Sequence, residues 1–169
     1  MLAVRHYEPH DSEVTIEIFL RAVREIASKD YNQEQVQAWA QVNDPAAWAR
    51  KRGSRPTWIV THDGIPAGFS DLEPNGHLDM MFVHPRYQGF GVASLLLSTV
   101  EAAARGQGVA IINTEASLTA RPFFRSRGFS VIAAQEVEKR GQMLKNFRVP
   151  SRLVWKLAER RVSSGLTVG

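Results

Sequence analysis

The feature that most constrains this chain is a strand, a glycine-containing loop and a helix that follow one another between residues 80 and 104. A compact apolar run ends at Pro85, which has no N–H to donate to a sheet ladder. After a loop with Gly89 and Gly91, apolar residues recur at helical spacing from Val92. The first N–H groups of a helix have no partner within it and lie at the positive end of its dipole. Because the glycines let an anion approach the backbone closely, this junction predicts a phosphate-binding site.

Small residues at such a junction can also serve the turn alone, and the loop differs from two common phosphate-binding loops. No Gly-Lys-Ser/Thr follows the glycines, as a Walker loop requires. Three successive antiparallel strands are predicted before the loop, at 57–61, 67–72 and 77–83, with turns at Asp63-Gly64 and Asn75-Gly76. A doubly wound dinucleotide fold places its loop after the first strand instead. The order of elements therefore argues against that fold.

The rest of the chain predicts further alternation of helices and strands. Before the three strands we expect a strand at 2–7, a helix ending near residue 28, a helix from 32 with a capping box, and a short helical turn at 45–48. After the loop helix, which ends near Arg105, we expect a strand at 109–115, a helix capped by Ser117 or Thr119, and a hairpin of strands 129–137 and 143–149 about Arg140-Gly141. We expect residues 153–155 to add a strand extension or a short helix. Trp39 and Trp48 are interpreted as core residues rather than pocket residues, because apolar spacing already explains them.

Length and composition fit one globular domain. The chain has 169 residues, of which 44% are hydrophobic and 22% charged. We expect a single domain over 1–162 and a flexible tail over 163–169. No apolar run reaches the roughly 18 residues of a membrane span and no signal peptide opens the chain, so a cytoplasmic protein that does not bind membranes is expected. The absence of cysteine excludes disulfides and thiolate metal sites. A net charge of +4 is too small and scattered to predict nucleic-acid binding.

The loop closely resembles the pyrophosphate loop of the GNAT superfamily of acyl-CoA-dependent N-acetyltransferases. That loop reads Gln/Arg-x-x-Gly-x-Gly/Ala, matched here by Gln88, Gly91 and Ala93 after Val83-His84-Pro85. Residues 116–129 resemble a second GNAT signature, in which a polar residue, an alanine three positions on, an aromatic pair and a closing Gly-Phe follow one another; the polar residue is Ser117 rather than the commoner Asn. The resemblance covers roughly residues 2–149 and looks most like the bacterial branch called YafP-like.

The resemblance implies an α/β fold of GNAT type. Its central sheet would be mixed, mostly antiparallel and flanked by helices, with a parallel, splayed strand pair at the cofactor site. It implies an enzyme that moves an acetyl group from acetyl-CoA to a primary amine of a small molecule by direct attack, with no metal; a homodimer is left open. The cofactor-binding residues implied are Phe82, Val83, Gln88, Gly89, Phe90, Gly91, Val92, Ala93, Ser117, Phe123 and Phe124.

One position departs from the family pattern. Many GNAT members use a tyrosine, second of the aromatic pair, to reprotonate the departing thiolate, and here that residue is Phe124. The nearest hydroxyls by sequence are those of Ser117 and Thr119, whereas Tyr31 and Tyr87 could arrive only from elsewhere in the fold. The usual general acid is therefore in doubt.

Three residues are candidates for the catalytic base: His77, Asp79 and Glu115. His77 and Asp79 are two residues apart, so they share one sheet face if no bulge intervenes. A carboxylate within an apolar strand would be desolvated, which favours its accepting a proton. Alternatively Asp79 pairs with an arginine or a backbone N–H, His77 is solvated beside a turn, and Glu115 caps the next helix or binds substrate. The sequence does not rank them.

Two other functions remain open under the same resemblance. Phe124 makes a non-catalytic acyl-CoA-binding sensor credible, and a protein- or peptide-acetylating member would be expected to have an open groove. A nucleotide-phosphate binder of another class is disfavoured, because the Walker lysine and an early strand–loop–helix unit are both missing.

Overall fold

The computed structural model describes residues 1–151 of the 169-residue chain. Seven strands are present in that part: β1 (Leu2–His6), β2 (Thr57–His62), β3 (Ile65–Asp71), β4 (Met81–Val83), β5 (Ile112–Ser117), β6 (Ala133–Lys139) and β7 (Gln142–Ser151). Five α-helices accompany them: α1 (Ser12–Glu25), α2 (Gln33–Trp39), α3 (Pro45–Gly53), α4 (Val92–Gly106) and α5 (Arg121–Ser126). The element predicted at 153–155 and the tail predicted at 163–169 lie outside the described residues.

The strands form two antiparallel sheets that meet at one parallel bridge. The first sheet has the order β1-β2-β3-β4 and the second the order β5-β7-β6. A parallel bridge between His77 and Asn113 joins them, with the N–H of Leu78 donating to the Asn113 carbonyl at 2.8 Å. Beyond this bridge β4 and β5 diverge, since each pairs with a different neighbour. This is the predicted fold class, and the predicted parallel, splayed pair is β4 and β5.

The strand predicted at 77–83 was too long, because the side chain of Asp71 interrupts it. One carboxylate oxygen of Asp71 accepts the N–H groups of Asp79 and Met80, at 3.0 and 2.9 Å. The segment therefore pairs with β5 at His77, is held by Asp71 in the middle, and pairs with β3 only from Met81. Asp71 thus fixes the point at which the two sheets part.

Helix α4 approaches the first sheet closely, and a glycine makes this approach possible. A Cβ on Gly68 of β3 would lie 2.7 Å from the Val92 side chain and 2.9 Å from the Phe82 carbonyl oxygen. Val92 and Leu96, on the same face of α4, are fully buried against this sheet. The beginning of α4, and the loop before it, are thereby fixed beside β4.

Several local predictions are confirmed. Asn32 and Gln35 form a reciprocal capping box at the start of α2, and positive φ angles mark the hairpin turns at Asp63-Gly64 and Arg140-Gly141. Helix α3 continues to Gly53, further than the predicted turn at 45–48. Within residues 1–151, none of the helices is both long and apolar enough to cross a membrane.

Candidate active site

Three adjoining cavities lie along the line where the sheets part. The loop cavity, of about 280 Å³, lies against Gly89, Gly91 and the start of α4. The central cavity, of about 200 Å³, is mainly apolar and lies between β4 and α5. The polar cavity, of about 360 Å³, extends to the β6–β7 hairpin. Neighbouring cavities share lining residues: Val83, Gln88, Ala93 and Phe123 join the first two, and Trp39, Phe82 and Ser117 join the last two.

The loop cavity has the geometry expected for an anion site. Gly91 is the residue before α4 and has a left-handed φ of +86°, a conformation that L side chains adopt only with strain. The first helical hydrogen bond runs from the N–H of Leu95 to the Gly91 carbonyl at 3.1 Å. The N–H groups of Val92, Ala93 and Ser94 come before it, so they have no partner within the helix and face outward. The predicted loop residues thus lie together, except that the Phe90 ring packs on His62, 5.0 Å away between centroids, rather than lining this cavity.

Arg127 also lines the loop cavity, and sequence reasoning missed it. Its guanidinium donates to the Ser94 hydroxyl at 2.6 Å and lies over the Phe123 ring, 4.0 Å from its centroid. A guanidinium held beside a helix N-terminus adds positive charge where the backbone already favours an anion. Arg127 follows α5 directly, so only the packing of α5 against α4 brings it to the loop.

The central cavity lies between the free edge of β4 and the aromatic pair of α5. The N–H of His84 donates to the Ala67 carbonyl of β3, and the N–H of Asp71 in β3 donates to the Met80 carbonyl. In an antiparallel pair only every second residue bonds its neighbour through both its N–H and its C=O, so the backbone groups of Phe82 also face β3. The backbone groups of Met81 and Val83 point the other way, into the gap. Phe82 therefore contributes its ring rather than its N–H.

Phe123 and Phe124 both line the central cavity on the opposite side. The Phe124 ring is buried, with ring centroids of Phe123 and Phe129 at 5.3 and 5.0 Å. The hydroxyls that line this cavity among residues 1–151 are those of Ser117 and Thr119, and the Thr119 hydroxyl donates to the Asp30 carboxylate at 2.8 Å. The Oγ of Ser117 accepts the N–H of Ala120 at 3.0 Å. Ala120 itself is the N-cap of α5 and no side chain caps the helix, so its predicted capping by Ser117 or Thr119 was wrong.

Two aromatic residues from α2 and the segment before it line the polar cavity. The Tyr31 hydroxyl donates to the Lys145 carbonyl at 2.6 Å and accepts the N–H of Leu118 at 2.9 Å, so it ties β5 to β7. Burial raises the pKa of Tyr31, which keeps it neutral. Trp39 lines the central and polar cavities besides packing on Tyr31, so its interpretation as a core residue alone was wrong. Trp48, stacked on Phe19, is confirmed as a core residue.

The imidazole of His77 lies between two carboxylates at one end of the polar cavity. Its Nδ1 is 2.7 Å from Glu73 and its Nε2 is 2.5 Å from Glu115. Burial alone would lower the pKa of His77, but the hydrogen bonds and charges of Glu115 and Glu73 outweigh it and raise the pKa. Glu73 is fixed in turn by the Arg55 guanidinium at 2.6 Å. His77 is therefore not a solvated turn residue, and the side chain of Glu115, 42% exposed, faces the cavity.

The carboxylate of Asp79 has a different environment. Its Oδ2 lies 3.6 Å from Lys51, 3.7 Å from Arg52 and 3.5 Å from Arg55. This is the alternative in which Asp79 pairs with arginines. Asp79 and Glu115 both line the polar cavity, so the structure brings the three predicted base candidates to one place. Among residues 1–151, no group of three or more His, Asp or Glu side chains is placed to hold a metal ion.

The position of His77 predicts a pH-dependent contribution to stability. Its pKa is higher in the folded protein than in the unfolded chain, so the stabilisation is fully present below the unfolded value of about 6.5. It is lost as the pH rises through the raised folded value. We expect the difference in unfolding free energy between wild type and His77→Gln to be larger at about pH 6 than at about pH 9, as measured by urea denaturation. Equal differences at both pH values would contradict this assignment.

The chain is similar to known acetyltransferases. The family described as "Acetyltransferase (GNAT) domain" matches residues 27–149. The chain is 37% identical, over 86% of its length and 93% of the relative's, to "Uncharacterized N-acetyltransferase YafP" of Escherichia coli.

Two solved structures are also similar. One is a GCN5-related N-acetyltransferase from Rhodopseudomonas palustris, 35% identical with a TM-score of 0.87, covering 89% of this chain and 95% of that one. The other is the PaiA N-acetyltransferase of Thermoplasma acidophilum in complex with coenzyme A, 15% identical with a TM-score of 0.71, covering 90% and 99%. The family match over most of the chain and the relative at 37% identity confirm the resemblance seen in the sequence. The chain belongs to the GNAT family of acetyltransferases.

Proposed function

We propose that this protein transfers the acetyl group of acetyl-CoA to a primary amine of a small molecule by direct attack. The observation that carries the proposal is the row of three adjoining cavities: an anion site, an apolar passage and a polar cavity with an acid–base group. Coenzyme A has the matching parts, a pyrophosphate, a pantetheine arm and a thioester. The PaiA enzyme of the same fold contains coenzyme A, which supports the assignment.

The cofactor would be held mainly by backbone groups. The N–H groups at the start of α4, with Arg127 beside them, would bind the pyrophosphate. The pantetheine arm would lie in the central cavity against Phe123 and Phe124 and along the free edge of β4. The thioester would then reach Phe82 and Ser117, which line the central and polar cavities alike.

The reaction requires a neutral amine and a stabilised oxyanion. We infer that Glu115 takes one proton from the ammonium of the acceptor, directly or through water, and that Glu73 and His77 position its carboxylate. The amine nitrogen then attacks the thioester carbon, and the N–H of Val83 or Met81 at the free edge of β4 donates to the developing oxyanion. The attack forms the C–N bond, and collapse of the tetrahedral intermediate breaks the C–S bond. The nitrogen gives its second proton to solvent, which leaves the neutral amide. Asp79 is less suited, because three cations already surround its carboxylate.

The departing thiolate needs no tyrosine in this scheme. A thiol pKa of about 8.5 makes the thiolate an acceptable leaving group near neutral pH. The Tyr31 hydroxyl is engaged with the Lys145 carbonyl and the Leu118 N–H, so it serves structure rather than proton donation. We therefore infer that the thiolate departs unassisted and takes its proton from solvent.

Release of free CoA tests the proposal. Purified protein with acetyl-CoA should release CoA continuously in the presence of at least one class of small primary amine, and mass spectrometry should find the acetylated amine. Binding of acetyl-CoA with no turnover on a broad amine panel would favour the sensor instead. Turnover with peptides alone would favour a protein- or peptide-acetylating enzyme.

A further inference from the structure

The two walls of the polar cavity differ in how their charges are compensated. On the β4–β5 wall the carboxylates already have cationic partners: Glu115 contacts His77, and Asp79 lies within 3.5–3.7 Å of three cationic groups. An acceptor with several positive charges would therefore meet little uncompensated negative charge. This wall suits a single ammonium group that gives up its proton.

The opposite wall carries an ammonium without a carboxylate partner. Gln135, Val137 and Lys139 alternate along β6 on the face that lines the cavity, and Lys139 is half-buried. Within residues 1–151, the Lys139 side chain has neither an ion pair nor a hydrogen bond. Lys145 is different, since its ammonium lies over the Phe147 ring, 5.6 Å from the centroid, and its carbonyl is the acceptor of Tyr31. Within the described residues neither lysine of this wall has a carboxylate partner, and Lys139 has no aromatic contact either, so its cation is the least compensated charge of the cavity.

A second unsatisfied group lies between the two walls. The side-chain oxygen of Asn146 is buried and, within the described part of the chain, accepts no hydrogen bond. Asn146 is paired with Ser117 of β5 on one side and Gln135 of β6 on the other, so the three side chains form a row across the sheet. A buried acceptor without a donor is costly, and an N–H donor from a ligand would remove that cost.

We propose that the acceptor is an amine that also carries an anionic group, such as an amino carboxylate. The anion would pair with Lys139, and the Asn146 side-chain oxygen would accept an N–H of the acceptor. This inference rests on the proposed function and specifies its substrate class. Gln135 lies in the row with Asn146 and Ser117, where the acceptor's amine end would lie. Lys139 is four residues farther along β6, roughly 13 Å of strand, part of which the lysine side chain spans. The amine and the anion of the acceptor would therefore be separated by several atoms, as in an ω-amino acid.

Matched acceptors test this class. For each carbon-chain length, an ω-amino acid, the alkylamine and the terminal diamine are compared as acceptors by CoA release. We expect the amino acids to have the highest kcat/KM, with an optimum length. Lys139→Gln should lower kcat/KM for the amino acids roughly 10- to 100-fold through KM, because an ionic hydrogen bond is lost. It should leave kcat/KM for the alkylamines and KM for acetyl-CoA unchanged.

The control variant is Arg105→Gln, which removes one positive charge at the far end of α4. It should not change the preference among the three acceptor classes. Preference for diamines or alkylamines, or an equal effect of Lys139→Gln on charged and neutral acceptors, would overturn the inference while leaving acetyl transfer intact. If acetyl-CoA binds but none of the amines is acetylated, the proposed function fails and the inference fails with it.

Discussion

Gly91→Glu should abolish the binding of CoA and acetyl-CoA while leaving the circular dichroism spectrum unchanged. Gly91 is the residue before α4, at φ +86°, and a Cβ there would have only one neighbour within 4 Å, the Leu2 side chain at 3.8 Å. The fold therefore has room for the side chain. The carboxylate would lie among the N–H groups proposed to bind pyrophosphate, where it repels the cofactor and competes for the same donors. Isothermal titration calorimetry measures the loss directly.

Gly141→Glu separates this effect from backbone strain. Gly141 has φ +84° in the β6–β7 turn, with no atom within 4 Å of an added Cβ. The Gly141→Glu substitution introduces the same residue into the same backbone conformation, away from the loop cavity. Because a ligand stabilises the fold by RT ln(1 + [L]/Kd), acetyl-CoA should raise the melting temperature of wild type and Gly141→Glu but not of Gly91→Glu. Unchanged affinity in Gly91→Glu would refute the assignment of the loop, and better stabilisation by ATP or NAD would refute the proposed cofactor.

The loop could be predicted from sequence because its signals are local. An apolar run, Pro85, two glycines and a helical period lie within 25 residues of each other, between 80 and 104. Short-range sterics and capping alone determine the strand, the turn and the helix start. The capping box of Asn32 and Gln35 and the turn at Arg140-Gly141 were predicted correctly for the same reason.

His77, Asp79 and Glu115 were predicted for the site, but the contacts between these and the other cavity residues could not be predicted, because they connect distant parts of the chain. His77 meets Glu115 across 38 residues, and Tyr31 meets Lys145 across 114. Arg127 and Lys139 are surface charges by sequence pattern, and only packing shows that they line cavities. Their sole sequence signal was a charge next to a turn glycine or turn residue, which solvated surfaces share.

The strand predicted at 77–83 shows how a buried side chain can override a local pattern. The apolar run there, between the turn signal at Asn75-Gly76 and Pro85, is typical of a continuous strand. Asp71 accepts the N–H groups of Asp79 and Met80 and so removes them from the ladder. Desolvation raises the pKa of Asp71 against the effects of these hydrogen bonds and of Arg52. A carboxylate at the end of one strand thus determines where the next strand separates, and with it the entrance to the central cavity.

Glu115→Gln should lower kcat by about 10²–10⁴-fold, the usual contribution of a general base, while preserving the affinity for acetyl-CoA. Glutamine has the same length, and its side-chain oxygen can still accept the Nε2–H of His77, so the contact at 2.5 Å can persist in altered form. What is lost is the ability to take a proton from the acceptor. The acidic limb of the pH–rate profile should vanish or shift in the same variant. Steady-state CoA release and calorimetry measure the two quantities independently.

Two further variants decide what a low rate of Glu115→Gln means. Glu136→Gln makes the same change on β6, on a solvent-exposed face, and should retain wild-type kinetics. Asp79→Asn tests the other carboxylate of the cavity, whose three surrounding cations suit a structural role. This variant should lower the free energy of unfolding and change kcat little. If Glu115→Gln is fully active and Asp79→Asn is folded but inactive, the base is Asp79 and not Glu115. Full activity in both would mean that neither carboxylate is essential, leaving His77, held between Glu73 and Glu115, or an ordered water chain to remove the proton.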